Sequence, residues 1–148
     1  MSHDADIIIV GGGLAGAAAA LTLSRDHTVH LLEAEQPATG ASGAAAGLVN
    51  PFMGRRARPV WRLREALAAV PNLLDRANAS HLFPPQGALR PVIEDDQEAP
   101  FREVAEKYPD LATWLPPNAV AERYPAVQSS DGALLVPKGG ARSCGGWA

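Results

Sequence analysis

The chain of 148 residues is predicted to adopt an α/β fold that begins with a βαβ unit and continues into an α+β region. Three observations predict it. A β-branched apolar run ends at a cluster of glycines, an alanine- and leucine-rich stretch follows, and a second short apolar run ends at an acidic residue. Short apolar runs bounded by turn residues are typical of strands, and a strand, a helix and a strand in this order form one βαβ unit.

The first strand is predicted at Ala5–Val10, and its unbroken apolar character predicts burial on both faces of a parallel sheet. A helix is predicted at Leu14–Ser24 because alanine and leucine favour helices. A turn at residues 25–27 leads to the second strand, Thr28–Leu32. The run Ile7–Leu23 is interrupted by glycines and is short for about 30 Å of hydrocarbon, so no membrane span is expected.

The rest of the chain is predicted to be an irregular α+β region. Gln36–Asn50 is rich in small residues and predicts a long loop. Apolar residues recur at three- and four-residue intervals over Val60–Leu74, which predicts an amphipathic helix that Pro71 kinks or splits. Shorter elements are predicted at Gly87–Ile93 (strand), Glu98–Lys107 (helix) and Gly132–Val136 (strand). The change of composition near Asn50 predicts a boundary between a region 1–50 and a region 51–148.

The overall composition excludes several classes of protein. A formal net charge of −3 gives no general attraction to a nucleic-acid backbone, so no nucleic-acid partner is expected. The single cysteine, Cys144, provides neither a disulfide framework nor a metal cluster. These features favour a cytoplasmic protein, because disulfide bonds are rare in reducing compartments.

A GxGxxG motif follows the first strand and comprises Gly11, Gly12, Gly13, Leu14, Ala15 and Gly16. In a βαβ unit the first glycine permits the tight turn, the second lets the backbone approach a pyrophosphate, and the third lets helix and sheet pack closely. The amino terminus of the following helix presents unpaired N–H groups and the positive end of the helix dipole. The motif therefore predicts a phosphate-binding turn.

Glu33 ends the second strand, about twenty residues after the glycines, where this arrangement places a carboxylate against a ribose. A carboxylate accepts hydrogen bonds from both ribose hydroxyls and would repel a 2′-phosphate. Glycines, helix, strand and acid together predict a Rossmann-like dinucleotide site. These features alone leave FAD and NAD as alternatives.

The segment Asp6–Glu33, with the loop that follows it, resembles the D-amino-acid-oxidase-like family of FAD-dependent oxidoreductases. In that family the strand-end acid and a later Gly-Ala-Ser-Gly loop contact FAD. The resemblance implies that the equivalent loop residues here bind the cofactor: Ala41, Ser42, Gly43 and Gly47. It places Ser42 and Gly43 beside the pyrophosphate and Gly47 nearer the isoalloxazine.

The resemblance implies a small-molecule amine or amino acid as the substrate, oxidised at its C–N bond by hydride transfer to FAD. The sequence identifies no catalytic residue. Two alternatives remain: an FAD-binding module that is inactive alone or needs a partner chain, and an NAD-binding module, against which the Gly-Ala-Ser-Gly loop argues. Family members are commonly much longer, and residues 142–148 have no strand or helix pattern. The chain is therefore expected to be truncated, with unpaired sheet edges that favour self-association.

The remaining charged and aromatic residues are predicted to have structural or solvent-exposed positions. An arginine cluster between residues 55 and 64 is predicted to form a solvated helix face. The alternatives are that it binds a substrate carboxylate or RNA phosphates. The cluster comprises Arg55, Arg56, Arg58, Arg62 and Arg64. Trp61 is predicted to pack against other side chains, in preference to a contact with the flavin. The acidic residues 94–96 predict a solvated turn. The four histidines lack metal-ligand spacing, so no metal site is expected.

Overall fold

A computed structural model describes residues 4–44, 47–83, 86–127 and 131–142. The chain divides into two units between Gly47 and Leu48. Unit 1 contains the predicted βαβ unit, and unit 2 contains residues 48–142. His3, Cys144 and the rest of the tail 143–148 lie outside the described residues.

Unit 1 has the predicted βαβ order. Strand β1 spans Ile7–Val10, helix α1 spans Leu14–Leu23 and strand β2 spans Val29–Leu32. The two strands are parallel, with Ile7 opposite Val29 and Val10 opposite Leu32. A one-turn helix α2, Ala41–Ala44, forms within the long loop that follows β2. The α/β fold class is thus confirmed.

Burial of β1 on both faces is a wrong prediction for the described residues. The side chain of Ile9 lies toward Gly16 of α1, whereas Ile8 is 63% exposed and Val10 is 84% exposed. The physical reason is that α1 covers one face of the two-stranded sheet, and no other described element of unit 1 covers the second face. Helix α1 carries no charged residue, yet none of its residues is buried.

The described strands from β3 onward form three small sheets, two of which are antiparallel. Strand β3, Gly47–Val49, pairs with strand β9, Gly140–Arg142. Strands β4 and β5, Phe52–Met53 and Arg58–Pro59, form a short hairpin. A three-stranded sheet has β8 at its centre, between β6 and β7; the three strands are Ala88–Pro91 (β6), Thr113–Leu115 (β7) and Ala133–Val136 (β8).

The helices of unit 2 are α3 at Leu63–Arg76, α4 at Glu98–Lys107 and α5 at Pro117–Arg123, with a 3₁₀ turn at Ser80–Leu82. Helix α4 has the bounds that the sequence predicts. Helix α3 runs through Pro71 without interruption, so the predicted split is wrong, and the alternative of a kink stays a prediction. Proline removes one backbone donor from the ladder, and the hydrogen bonds on either side of it hold the helix together.

The main core of unit 2 lies between α4 and the three-stranded sheet. Phe101 and Val104 of α4 pack in one cluster with Leu134 and Val136 of β8 and with Phe52 of the hairpin. Phe52, Leu134 and Val136 are completely buried. A second cluster brings together Leu115, Val120, Ala133 and Leu135, so all four residues of β8 are buried. The central strand therefore anchors both clusters.

Candidate functional site

The turn after β1 is tied to the carboxylate of Glu33. The backbone N–H of Gly12 donates a hydrogen bond of 2.6 Å to Glu33 Oε2. Glu33 Oε1 accepts bonds from the N–H groups of Ala34 at 2.8 Å and Glu35 at 3.4 Å. Gly11 adopts a φ of +105°, a conformation that favours glycine, and this lets the chain turn sharply out of the strand. The strand-end acid therefore lies directly against the glycine turn.

These hydrogen bonds also determine the charge of Glu33. The N–H of Gly12 lowers the pKa of Glu33 most, followed by the N–H groups of Ala34 and Glu35. Each of them stabilises the ionised carboxylate, which accepts the bonds, over the protonated acid. Glu33 is consequently anionic at neutral pH and presents acceptor oxygens to a ligand hydroxyl.

We expect the bond between Glu33 and Gly12 to be lost only in acid. Since the pKa of Glu33 is lowered from its ordinary value of 4.5, the stability it contributes is fully present above that value. It is lost as the pH falls through the lowered pKa. Chemical shifts of the Gly12 amide, followed by NMR from pH 7 downward, check this. A midpoint at or above the ordinary value would contradict the hydrogen-bonded geometry.

Two close approaches in unit 1 admit only glycine. A Cβ atom added to Gly16 would lie 1.9 Å from the carbonyl oxygen of Gly11. A Cβ added to Gly43 of α2 would lie 1.9 Å from the carbonyl oxygen of Ala38. The first contact packs α1 onto the turn, and the second packs α2 onto the loop after β2. Glycine is therefore required here for space.

Ser42 connects the loop to the amino terminus of α1. Its Oγ accepts a hydrogen bond of 3.0 Å from the N–H of Leu14, the first residue of the helix. The first bond of α1 runs from Ala17 N–H to the carbonyl of Gly13 at 2.9 Å, so the N–H groups of Ala15 and Gly16 have no carbonyl partner within the helix. The Ser42 hydroxyl, in accepting from Leu14, keeps its own proton for a ligand. This donor set suits a phosphate group.

These elements border an open groove of about 380 Å³. Of the residues predicted from sequence, the groove brings together Gly13, Glu33, Ala41 and Ser42. Gly11 and Gly12, in the turn, and Gly16, in the first turn of α1, do not line the groove, and neither does Gly47, at the start of β3. Five further residues that were not predicted line the groove: Ala34, Glu35, Ala38, Thr39 and Gly40. Gly40 begins the Gly-Ala-Ser-Gly loop, and the other four lie between Glu33 and that loop, which is the signal that could have identified them.

Four of the five arginines form ion pairs while staying more than half exposed, so the cluster is solvated as predicted, but only Arg64 of the five lies within a helix. Arg55 pairs with Glu94 at 2.5 Å and with Asp96 at 2.7 Å, which lowers the pKa of Asp96. Three more pairs join Arg56 to Asp96, Arg62 to Glu65 and Arg64 to Asp110. The acidic turn is exposed as predicted, but two of its carboxylates hold the β4–β5 hairpin.

The predicted packing of Trp61 is wrong, because its side chain is 85% exposed. Helix α3 begins at Leu63, after Trp61, and Arg62 has a positive φ of 50° that redirects the chain just before the helix. Leu63 is the residue of this segment that enters the core. The arginine side chain of Arg62 lies over the exposed indole, 5.4 Å from its centroid.

Among the described residues, no cluster of three or more histidine, cysteine, aspartate or glutamate side chains could hold a metal ion. Within the same part of the chain, no helix has the length and apolar character needed to cross a membrane.

Comparison with known proteins gives one family. The profile described as "FAD dependent oxidoreductase" (DAO) matches residues 6–145. The bifunctional protein MnmC of tRNA 5-methylaminomethyl-2-thiouridine biosynthesis from Idiomarina loihiensis is 31% identical, over 91% of this chain and 22% of that protein. The MnmC protein of Maricaulis maris is 35% identical, over 76% of this chain and 18% of that protein. The chain spans about a fifth of the length of these curated relatives.

Solved structures share the fold. Glycine oxidase from Geobacillus kaustophilus matches with a TM-score of 0.73 and 24% identity, over 97% of this chain and 42% of that one. Glycine oxidase from Bacillus cereus matches with a TM-score of 0.70 and 26% identity, over 95% and 40%. L-Proline dehydrogenase from P. horikoshii matches with a TM-score of 0.72 and 18% identity, over 97% and 39%. The chain therefore corresponds to about two fifths of these structures.

Proposed function

We propose, since this chain belongs to the DAO family of FAD-dependent oxidoreductases, that its unit 1 holds the adenosine diphosphate part of FAD. The observation that carries this proposal is the groove in which the Glu33 carboxylate and the Ser42 hydroxyl meet at the amino terminus of α1. Glu33 would accept the ribose hydroxyls. Ser42 and the N–H groups of the first turn would donate to the pyrophosphate.

The reaction that we propose is oxidation of the C–N bond of an amine or amino acid. FAD, when bound, supplies the hydride acceptor, and this chain supplies binding and orientation. Glycine oxidases and L-proline dehydrogenase among the solved structures support this substrate class. We propose further that region 1–50 serves the cofactor, that region 51–148 is part of a substrate region, and that the protein works in the cytoplasm.

Two other proposals have specific support. The names of the MnmC relatives favour an amine carried by tRNA as a second candidate substrate. The chain spans only part of the length of its relatives, and this favours an FAD-binding module that needs further polypeptide for turnover. The chain is mixed with FAD and a panel of free amino acids, and peroxide release or dye reduction is measured. Turnover separates the first proposal from these two, because only the first requires this chain to oxidise a free substrate.

The test of the cofactor site is the visible absorption of the purified chain with FAD, beside a Glu33→Ala variant. We expect bound flavin in the original chain and about a ten- to hundredfold weaker affinity in the variant, since hydrogen bonds to a charged group contribute about 1.5–3 kcal/mol. Glu65→Ala removes the same charge from unit 2 and should leave the affinity unchanged. A chain that stays colourless with FAD, or variants that respond alike, would refute the site.

A further inference from the structure

Helix α3 and the 3₁₀ turn that follows it border a partly enclosed cavity of about 230 Å³. Three apolar side chains of α3, spaced three and four residues apart on one face of the helix, form a wall of it: Leu67, Val70 and Leu74. Val49 and Phe83 extend the apolar lining. All lining residues belong to unit 2, whereas the cofactor groove is lined by residues of unit 1. The cavity is therefore a second candidate binding site.

The core leaves much of this apolar wall uncovered. Val70 and Leu74 are half-buried, and in the part of the chain that the structure describes they belong to neither core cluster. Apolar surface in contact with water is unfavourable, and an apolar lining with few polar groups is typical of ligand pockets. An apolar cavity of roughly 150 Å³ can bind benzene, so this cavity has room for a chain of roughly six to nine carbon atoms.

Two polar side chains, Ser80 and Lys138, line the same cavity, and both residues are exposed. Within the ranges that the structure describes, Lys138 forms no ion pair. Arg64 lowers the pKa of Asp110 most, and the charge of Lys138 adds a smaller lowering, so the ammonium lies near that carboxylate. Asp110 is already held by two hydrogen bonds from Arg64. The ammonium of Lys138 thus keeps its donors for an incoming anion.

We propose that this cavity binds a free aliphatic carboxylate, with its hydrocarbon chain against the α3 wall and its carboxylate on Lys138 and Ser80. One ammonium balances one negative charge, and Asp110 nearby would repel a dianionic head group such as a phosphate more strongly. The hydroxyl of Ser80 can donate a hydrogen bond to the same carboxylate. The ligand is neither the cofactor nor the amine that is oxidised, so this proposal does not rest on the proposed function.

The test uses the full chain labelled with ¹³C-lysine, because the chain has two lysines, Lys107 and Lys138, and Lys107 does not line the cavity. The probe is octanoate, and NMR follows the ε-methylene signal of each lysine. We expect octanoate to shift the Lys138 signal to saturation and to leave the Lys107 signal in place. Octanamide, which has the same shape without the charge, should bind about two- to fivefold more weakly, the effect of losing one exposed ion pair.

Variants test the two halves of the site. Lys138→Gln should weaken octanoate binding about two- to fivefold, as measured on the methyl signals of Val70, and Lys107→Gln should leave it unchanged. Val70→Phe fills the cavity without changing the charge and should abolish binding. Ala69→Phe is its matched control, because Ala69 is an exposed residue of the same helix outside the cavity. Circular dichroism checks that both helix variants keep the fold.

The length of the chain and the kind of ligand are tested with two further probes. Butyrate is four methylene groups shorter and should bind on the order of a hundredfold more weakly than octanoate. N-Acetylleucine carries the carboxylate of a polypeptide end, and we expect it to bind more weakly than octanoate. Tighter binding of N-acetylleucine would overturn the proposal in favour of a protein partner. Equal shifts at both lysines, equal affinities for octanoate and butyrate, or an equal loss in both helix variants would overturn it as well.

Discussion

Replacing Gly16 by alanine should abolish FAD binding. The added Cβ would lie 1.9 Å from the carbonyl oxygen of Gly11 and 3.1 Å from its carbon. Both atoms belong to the backbone of the phosphate-binding turn, so α1 can accommodate the methyl group only by moving away from β1. Overpacking of this kind costs about 1–3 kcal/mol or more. It would also displace the N–H groups of the first turn from the position that a pyrophosphate requires.

Gly40→Ala is the control for this prediction. A Cβ at Gly40 would meet no atom within 4 Å, and Gly40 does not have the left-handed φ that disfavours alanine. Both glycines belong to unit 1, and Gly40 borders the groove. Quenching of flavin fluorescence during titration measures the affinity of each variant. If Gly16→Ala binds FAD as tightly as Gly40→Ala does, α1 does not pack closely against the turn.

Replacing Phe101 by alanine should have the largest effect on the stability of unit 2. Phe101 is 1% exposed and lies in the main core cluster. Its ring also lies 5.0 Å from the guanidinium of Arg90, the residue that holds the β4–β5 hairpin. Removal of a buried phenylalanine costs about 3–5 kcal/mol, since it combines lost burial with the cavity left behind.

Urea unfolding followed by circular dichroism measures this cost. Ile93→Ala is the matched control, because Ile93 is 80% exposed and its substitution should change stability by no more than about 0.5 kcal/mol. The two variants should therefore differ by several kcal/mol. Similar midpoints for both would mean that Phe101 does not lie in the core.

The parts that the sequence could predict are those that depend on neighbouring residues. Local apolar patterns and helix propensity predict the strands of unit 1, the helix after the glycines and the bounds of α4. The contact between Glu33 and the glycine turn also follows, because a parallel βαβ unit brings the ends of its strands together.

Other parts depend on partners distant in the chain. Strand β3 pairs with β9 across most of the sequence, and β4 and β5 have two residues each, too few to show alternation. Trp61 lies before α3, which begins at Leu63. The apolar stripe in the sequence already starts at Val60, so the pattern does not show where the helix begins. The groove residues Ala38 and Thr39 take their place from the loop backbone, which no periodic pattern reports.

The apolar surface of α1 has a consequence for turnover of the protein. The helix carries no charge and none of its residues is fully buried, so part of its apolar surface stays in contact with solvent. Under the proposed function, FAD binds only the folded state and stabilises it in proportion to the logarithm of its free concentration. Cellular supply of the cofactor would then set how often unit 1 opens, and proteolysis would start there whenever flavin is scarce.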